Sequence, residues 1–421
     1  MSTTKFTHKI SRSSQGSYYT IPFTVPENIV KLTVSYEYYR PTKGFLADLK
    51  PSNTIDIGLS DETGRFLGWS GSAHSSISVG EYGSSHGYLC EKINPGEWGI
   101  IVGAYHVMPE GVEVKYTVEF EEKKPLWLFG DLHVHSNASD GSLDAHDIGK
   151  LAQKGRLDFT ALANHNNFAE NLHLPHEEDF TFVPAVEWTH YNGHMNFFGV
   201  PAPFENSFIA NTGEDMKKII EHARSLGAVI SVNHPKCRFC PYKWEDEESF
   251  DMVEIWNGPM RKTNTDGIEW WTGLLRAGRR LPAVGGSDFH GPGGIPKLGN
   301  PVTAVFSASR SAGDIVSAIS KGHAFVTSGI NGVKLNLTYG EAGLGDEARY
   351  NKDTPLKVSI HAAGGSDILL VTDKDEQLLK KNVKGDIVFE APVEETRFAY
   401  IKAVRGTSGK ICAVTNPIYF K

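Results

Sequence analysis

The chain contains seven short apolar stretches, and each carries a His, Asp or Glu at one of its ends. Runs of this length and apolarity are typical of buried parallel strands. The stretches are LWLFGDLHVHS with His133 and His135, FTALANH with His165, FTFVPAVE with Glu187, GHMNFFGV with His194 at its start, AVISVNHP with His234, DMVEIWNG with Glu254, and LPAVGGSDFH with Asp288 and His290. In an α/β barrel the carboxyl ends of the strands meet at one face. We therefore expect these polar side chains to converge.

Two of these stretches end in pairs of ligand-type residues two positions apart, His133 with His135 and Asp288 with His290. Side chains at i and i+2 on a strand point to the same side. Imidazole together with carboxylate suits zinc, manganese or iron, whereas magnesium and calcium favour oxygen ligands alone. A single His is more often an ordinary core or surface residue, but the whole set on matching strand ends predicts a transition-metal site.

The order of the motifs resembles that of a known family. DLHVHSNASDG, ALANHN, the Glu187…His194 pair, NHP and GSDFH are similar to the successive motifs of the polymerase and histidinol phosphatase (PHP) metallohydrolases. The resemblance covers roughly residues 126–328, about half of the chain, and its HxHS…SDG opening is specific. The flanking segments resemble the subgroup named after carbaryl-type hydrolases, which has accessory β domains.

The resemblance implies a distorted (β/α)7, TIM-like barrel that binds two or three divalent manganese, zinc or iron ions. By matching motifs, one ion would be held by His133, His135, Glu187 and Asp288, a second by Asp140, His165 and His290, and a third by His194 and His234, with Glu187 bridging. The family usually has Asp before the His of its second motif, where this chain has Asn164. Asn164 can accept a hydrogen bond, but it cannot raise the basicity of His165 as a carboxylate would.

The 421 residues predict a multidomain protein with a barrel flanked by two β-sandwich domains. Residues 1–124 have strand-like segments separated by Pro, Gly, Ser and Asn clusters, and the EEKKP segment reads as a linker. We expect an N-terminal all-β accessory domain over 1–124, the catalytic barrel over 125–329 and a C-terminal β-sandwich over 330–421. The N-terminal domain would be either a scaffold or a carbohydrate- or substrate-binding module.

Three helices are predicted in the middle section from apolar residues at helical spacing. They are SLDAHDIGKLAQK (142–154) with Ser142 as the expected N-cap, GEDMKKIIEHARSLG and SAGDIVSAISKG. Each is followed by, or ends in, a glycine suited to the C′ position.

The net charge of −8 argues against binding to duplex nucleic acid, which needs a basic face. It is compatible with a small phosphorylated substrate, since metal ions can supply positive charge.

We expect a cytoplasmic protein without a membrane partner, because the sequence shows no signal-peptide core and no membrane span. Among four cysteines, Cys237-x-x-Cys240 is expected in a loop near the barrel mouth, with a redox-sensitive lid as the alternative.

The expected reaction is hydrolysis of a phosphomonoester or phosphodiester by a metal-bridged hydroxide. The phosphate would be held by one of the basic residues that follow the motifs, Lys236, Arg238, Arg261, Lys262 or Lys297, and Glu254 is a candidate general acid or base. An alternative is a carbamate or amide hydrolase, which an apolar pocket with Trp244, Trp256 or Phe239 would favour. A further alternative is a non-catalytic, metal-stabilised binding protein.

Overall fold

The structure is a computed structural model that describes residues 2–39, 52–175, 179–205, 207–246, 248–406 and 408–421. It divides into two compact units, Met1–Lys124 and Pro125–Lys421, and each has its own hydrophobic core. The protein is therefore multidomain, and it is built mostly of sheet with few helices. Among the residues described, no helix combines the length and the apolar character needed to cross a membrane.

The first unit consists of two four-stranded antiparallel sheets. Its strands are β1 (Ser2–Ile10), β2 (Tyr18–Val25), β3 (Ile29–Tyr38), β4 (Thr54–Ser60), β5 (Phe66–Gly71), β6 (Ser76–Gly80), β7 (Gly96–His106) and β8 (Val112–Glu122). The sheet orders are β1-β8-β3-β6 and β2-β7-β4-β5. Alternate residues face the core, as in β8, where Val114, Tyr116 and Val118 are buried and the residues between them are not. Side chains from both sheets join in one core.

The second unit contains the remaining strands and all four described α-helices. The strands are β9 (Leu126–Val134), β10 (Phe159–His165), β11 (Thr181–His190), β12 (Gly193–Phe198), β13 (Val229–Val232), β14 (Met252–Asn257), β15 (Ala283–Gly286), β16 (Val302–Ser307), β17 (Ala324–Thr327), β18 (Lys334–Tyr339), β19 (Glu347–Ala348), β20 (Leu356–His361), β21 (Ser366–Thr372), β22 (Glu376–Val383), β23 (Ile387–Ala391), β24 (Phe398–Arg405), β25 (Ile411–Thr415) and β26 (Ile418–Phe420). The helices are α1 (Ala145–Lys154), α2 (Gly213–Ser225), α3 (Lys262–Arg276) and α4 (Ala312–Ser320).

The seven apolar stretches form a row of neighbouring strands from β9 to β15. The pairs β9–β10, β10–β11, β13–β14 and β14–β15 are parallel. The expectation of parallel strands is wrong for β12, which runs antiparallel to both β11 and β13. Because β12 runs in the opposite direction, its start lies where its neighbours end, and His194 pairs with Thr189 near the end of β11.

The last strand of this row returns to the first. Asp288, just after β15, donates its backbone N–H to the carbonyl of His133 at 2.8 Å, and His135 donates to the carbonyl of Phe289 at 2.9 Å. Gly286 permits this approach, because a Cβ atom there would lie 2.4 Å from the Cβ of His133. The buried carboxylate of Asp131 also accepts backbone hydrogen bonds from Ser287 and from His133 itself. The ends of β9 and β15 are therefore fixed side by side.

The helices of the structure differ from the predicted helices in two ways: one has a different N-cap residue, and one was not predicted. The first helix is capped by Asp144, whose side chain accepts from the N–H of Asp147, and not by Ser142. The missed helix is α3, although Ile268, Trp271 and Leu275 are buried at helical spacing. Its first two turns contain Thr, Asn, Asp and Gly, which are poor helix formers, and this composition obscures the pattern.

The C-terminal strands continue the same sheet. Strand β17 pairs with β25, and the order then continues β25-β24-β21-β22, while β18, β20 and β23 form a separate three-stranded sheet. Residues on both sides of position 329 share one core, for example Phe325 with Leu337 and Ile401. The division of the second unit into a barrel over 125–329 and a sandwich over 330–421 stays a prediction.

Candidate metal centre

The centre of the site is Glu187, a fully buried carboxylate near the end of β11. Five imidazole rings from four different strand ends surround its two oxygens. Oε1 lies 3.1 Å from His194 Nδ1, 3.3 Å from His234 Nε2 and 3.4 Å from His133 Nε2, and Oε2 lies 2.8 Å from His165 Nδ1 and 3.6 Å from His135 Nε2. The convergence of strand ends thus brings together residues that are far apart in the sequence.

Two aspartates complete the cluster on either side of His135. Asp288 Oδ1 lies 3.2 Å from His135 Nε2 and 3.5 Å from His133 Nε2. Asp140 Oδ1 lies 3.2 Å from His290 Nε2, and its Oδ2 lies 3.6 Å from His165 Nε2. Asp140 is the most solvent-exposed of these residues, with 57% of its side chain accessible.

The ligand-type atoms fall into four adjoining groups, and within each group all atoms lie within 4.8 Å of one another. The groups are His135, Asp140, His165 and His290; His133, His135 and Glu187; His133, His234 and Asp288; and His194, His234 and Cys240. All nine residues that the motifs proposed as ligands are in this cluster. Cys240 also belongs to it, although the sequence analysis expected that residue only in a nearby loop.

Two residues of the cluster have left-handed backbone conformations that L-residues rarely adopt. They are His234, with φ of 30°, and Asp288, with φ of 59°. Each lies two residues after the end of a strand, and its side chain belongs to the cluster. Hydrogen bonds maintain both turns, since the N–H of His234 donates to Glu254 and that of Asp288 to His133. Strain of this kind is concentrated at functional sites in proteins.

Asn164 holds the loop that carries Asp140. Its Oδ1 accepts hydrogen bonds from the N–H of Ser136 at 2.9 Å and from Ser139 Oγ at 2.9 Å, and its Nδ2 donates to Glu170 Oε2 at 3.0 Å. Within the same loop, a Cβ at Gly141 would lie 2.3 Å from the carbonyl oxygen of His135, so only glycine fits. Asn164 accepts hydrogen bonds as expected, but they position a loop, and none of them joins its side chain to the His165 ring.

Glu254 lies behind His133 and is buried. Its Oε1 is 2.9 Å from His133 Nδ1, and its Oε2 accepts from the N–H of His234 at 3.0 Å and from Asn257 Nδ2 at 3.2 Å. A carboxylate in this position fixes the tautomer and orientation of a ligand imidazole. The geometry thus favours a positioning role for Glu254, while a role as general acid or base stays a prediction.

Several buried atoms of the cluster have no hydrogen-bond partner among the described residues. They are His133 Nε2, His135 Nδ1 and His135 Nε2. Leaving a buried polar atom without a partner costs about 1–3 kcal/mol. A cation bound among the imidazole and carboxylate groups would supply these missing partners, so the residues fit a bound transition metal.

The charges of the cluster shift its pKa values in opposite directions. Burial lowers the pKa of His135 to about 4, which keeps its imidazole neutral as a metal ligand must be. Burial also lowers the pKa of His234, but the carboxylates of Glu187, Glu254 and Asp288 raise it more, to about 9. The pKa of Glu187 is raised by burial but lowered more by the surrounding imidazoles, His133 foremost, and ends well below its usual range.

The predicted basic residues lie in different surroundings. Arg261 Nη2 is 3.5 Å from Asn257 Oδ1, and Asn257 in turn donates to Glu254, so this arginine borders the cluster. Lys236 Nζ lies 5.0 Å above the ring of Trp270, and the guanidinium of Arg238 lies 5.9 Å from the ring of Phe239. The other two have different neighbours: Lys262 is paired with Asp266 at 2.7 Å, and Lys297 lines a pocket beside α1.

A pocket of about 520 Å³ opens beside the cluster. His194 and Cys240 form part of its wall, and Tyr191, Phe208, Ile209 and Phe239 line it with apolar surface. Phe239 and Ile209 are largely exposed, at 88% and 65%. No lysine or arginine is found among the described residues that line it. Of the aromatic residues proposed for an apolar pocket, Trp256 is fully buried in the core and Trp244 packs against His190 instead.

No protein-family model and no curated protein matches the sequence. Among solved structures, the chain is similar to a two-domain protein from Bacteroides vulgatus that contains a predicted PHP-like metal-dependent phosphoesterase, with 17% identity, a TM-score of 0.41, and coverage of 70% of this chain and 96% of that one. It is similar to the lesion-specific endonuclease PfuEndoQ from Pyrococcus furiosus, with 16% identity, a TM-score of 0.36, and coverage of 46% of this chain and 56% of that one. It is also similar to an amidohydrolase from Chromobacterium violaceum, with 15% identity, a TM-score of 0.28, and coverage of 39% of this chain and 89% of that one. Because these identities and TM-scores are low, the activity of this chain has to be inferred from its own residues.

Proposed function

We propose that this chain is a metal-dependent phosphoesterase of the PHP type. The observation that carries the proposal is the sharing of residues between adjoining ligand groups. His133, His135 and His234 each belong to two groups, so the candidate ion positions adjoin one another, although one imidazole nitrogen would bind a single ion at a time. Two or three divalent manganese, zinc or iron ions are the cofactors that this donor set suits.

The proposed fold of the catalytic part is a distorted (β/α)7 barrel. Its support is the return of the strand row to its own beginning, through the hydrogen bonds of Asp288 and Phe289 with β9. In such a barrel the strand ends form the active site. The flanking β segments would serve as scaffolds or binding modules, and the exclusion of duplex nucleic acid stays a prediction from the net charge.

Clustered metal ions, when bound, lower the pKa of a coordinated water and neutralise charge on substrate oxygens. The chain's own contribution is to hold the ligands in place and to orient the substrate. Glu254 fixes the His133 ring, and Asn164 fixes the loop of Asp140. Arg261, at the border of the cluster, is the basic residue best placed to contact a phosphate, and Lys236 and Arg238 would need to leave their aromatic partners to do so.

A second candidate function is hydrolysis of a neutral carbamate, amide or ester. The observation that favours it is the pocket beside His194, whose described wall includes the apolar side chains of Phe208, Ile209 and Phe239 but no lysine or arginine. A pocket of this kind binds an uncharged group by burial of apolar surface. The same metal centre would serve either reaction.

The test compares substrates on one preparation. Metal-free protein is reconstituted separately with manganese, zinc and iron, and kcat/KM is measured for p-nitrophenyl phosphate, bis-p-nitrophenyl phosphate and a p-nitrophenyl carbamate. Asp288→Ala serves as the control for activity from free metal or contaminants. We expect a phosphate ester to be the best substrate and inorganic phosphate to inhibit. A higher kcat/KM for the carbamate, without phosphate inhibition, would replace the proposal with the second candidate, and no turnover of any substrate would favour a binding protein.

A further inference from the structure

The loop after β13 places a thiol against the metal cluster. Cys240 Sγ lies 3.6 Å from His234 Nδ1, and it belongs with His194 and His234 to one group of mutually close ligand atoms. No other group of the cluster contains sulfur. This position therefore has a different donor set from its neighbours, two imidazoles and a thiol.

The local backbone explains how Cys240 comes to face His234. The left-handed conformation of His234 begins a tight turn, in which the N–H of Cys237 donates to the carbonyl of His234 at 2.7 Å. The N–H of Tyr242 then donates to the carbonyl of Pro235 at 3.0 Å and closes the loop. These two hydrogen bonds fold the segment back on itself, so the side chain of Cys240 returns to the ring six residues before it.

We propose that Cys240 binds as a thiolate to a metal ion held also by His194 and His234, and that this position selects zinc. The inference rests on the proposed metal centre and adds a ligand to it. Zinc in proteins is commonly bound by Cys together with His, whereas manganese and magnesium favour oxygen donors. The remaining groups, with imidazole and carboxylate alone, lack this preference for a sulfur-binding ion.

Cys237 is the natural comparison for Cys240. The two sulfur atoms are 2.9 Å apart, with Cys240 as the donor, but Cys237 is absent from the ligand group. Binding of zinc to Cys240 would release the thiol proton to solvent, as is general for thiolate ligands.

Cobalt substitution tests the inference directly, because a thiolate bound to Co²⁺ gives a charge-transfer absorption in the near ultraviolet that imidazole and carboxylate ligands do not. The full-length protein is reduced, its free thiols are counted, bound metal is removed, and Co²⁺ is added. The variants are Cys240→Ser and the matched control Cys237→Ser. We expect the absorption in the wild type and in Cys237→Ser, and its loss in Cys240→Ser. Zinc content should fall by about one ion per chain in Cys240→Ser only.

Three outcomes would overturn the assignment: no charge-transfer absorption in the wild type, its retention in Cys240→Ser, or its equal loss in both variants. Near-ultraviolet circular dichroism of each variant shows whether it is folded, and a Cys240→Ala variant replaces Cys240→Ser if the latter is not. The result is separate from the proposed function. Charge-transfer absorption without hydrolysis of phosphoesters would support Cys240 as a metal ligand and refute the phosphoesterase activity. Hydrolysis of phosphoesters without this absorption would support the activity and refute Cys240 as a ligand.

Discussion

Glu254 and His133 form a buried pair in which Glu254 Oε1 accepts a hydrogen bond from His133 Nδ1 at 2.9 Å. The two residues are 121 positions apart, Glu254 within β14 and His133 near the end of β9. Because Nδ1 is engaged by Glu254, the opposite nitrogen, Nε2, faces Glu187 at 3.4 Å and Asp288 at 3.5 Å. The orientation of one candidate ligand thus depends on a carboxylate that does not itself belong to the ligand groups.

Replacing Glu254 by Gln should weaken metal binding without removing a ligand. We expect the affinity to fall by roughly 10–100-fold, since loss of the charged partner makes His133 a weaker and less well oriented donor. Competition with a chromogenic chelator measures this affinity. The control is Glu269→Gln, which changes an exposed glutamate on α3. Equal affinity in the two variants would contradict the positioning role.

The cluster should bind at least two metal ions per chain. Elemental analysis of protein purified without chelators checks this number. His135→Ala should reduce both the metal content and kcat/KM, the latter by at least about 100-fold, because His135 is shared between two ligand groups. His146→Ala, at an exposed position of α1, is the control. One metal ion or none after reconstitution would exclude a multinuclear centre.

Asp140→Asn should affect one position of the cluster selectively. Asp140 is found only in the group with His135, His165 and His290, and its side chain is more than half exposed. We therefore expect about one ion fewer per chain in the metal-loaded variant, and an unchanged stability to urea when the metal-free variant is compared with the metal-free wild type, because little packing is lost. Elemental analysis of the loaded proteins and urea titration of the metal-free proteins give the two readouts. Loss of all bound metal would show that the positions fill only together.

Arg261 should be the basic residue that matters for a phosphate ester. Arg261→Ala is expected to reduce kcat/KM by about 10–100-fold, since hydrogen bonds to charged groups contribute about 1.5–3 kcal/mol. The matched control is Lys262→Ala at the next position, because Lys262 is exposed and paired with Asp266 on the helix surface. If the two variants behave alike, or if only hydrolysis of the carbamate falls, Arg261 is not the phosphate contact.

Asp373 gives a pH-dependent contribution to stability that is independent of the metal cluster. Partial burial raises its pKa, but hydrogen bonds from Thr396 and Arg397 lower it more, to about 2. Because the folded-state pKa is depressed, the stabilisation is present above the unfolded value of about 4 and is lost as the pH falls towards 2. Asp373→Asn should therefore be less stable at pH 7, by on the order of 1 kcal/mol after allowance for solvent screening.

Urea unfolding of the wild type and Asp373→Asn at several pH values measures this effect. The difference in the free energy of unfolding between the two proteins should become smaller below about pH 4, where the aspartate of the unfolded chain becomes protonated. A difference that is constant with pH would mean that the ion pair with Arg397, whose Nε lies 2.9 Å from the carboxylate, contributes no charge-dependent stability.

The sequence alone proposed the nine candidate ligands, because their motifs resemble those of the PHP metallohydrolases, and it indicated the apolar strands beside which most of them lie. This was possible because both signals are local. An apolar run predicts a buried strand, and the i, i+2 spacing of His133 with His135 predicts side chains on one side, as their common approach to Asp288 Oδ1 shows. Strand ends then converge for any chain in which such strands lie side by side.

The tertiary structure alone decided which atoms face one another. The direction of β12 depends on its hydrogen bonds with β11 and β13, and an apolar run is the same in either direction. The ring orientation of His133 depends on Glu254, and the inclusion of Cys240 depends on a turn that starts at a strained His234 backbone. These features arise from contacts between residues distant in sequence or from rare backbone conformations. Residue spacing does not predict such contacts or conformations, so they are seen only in the folded chain.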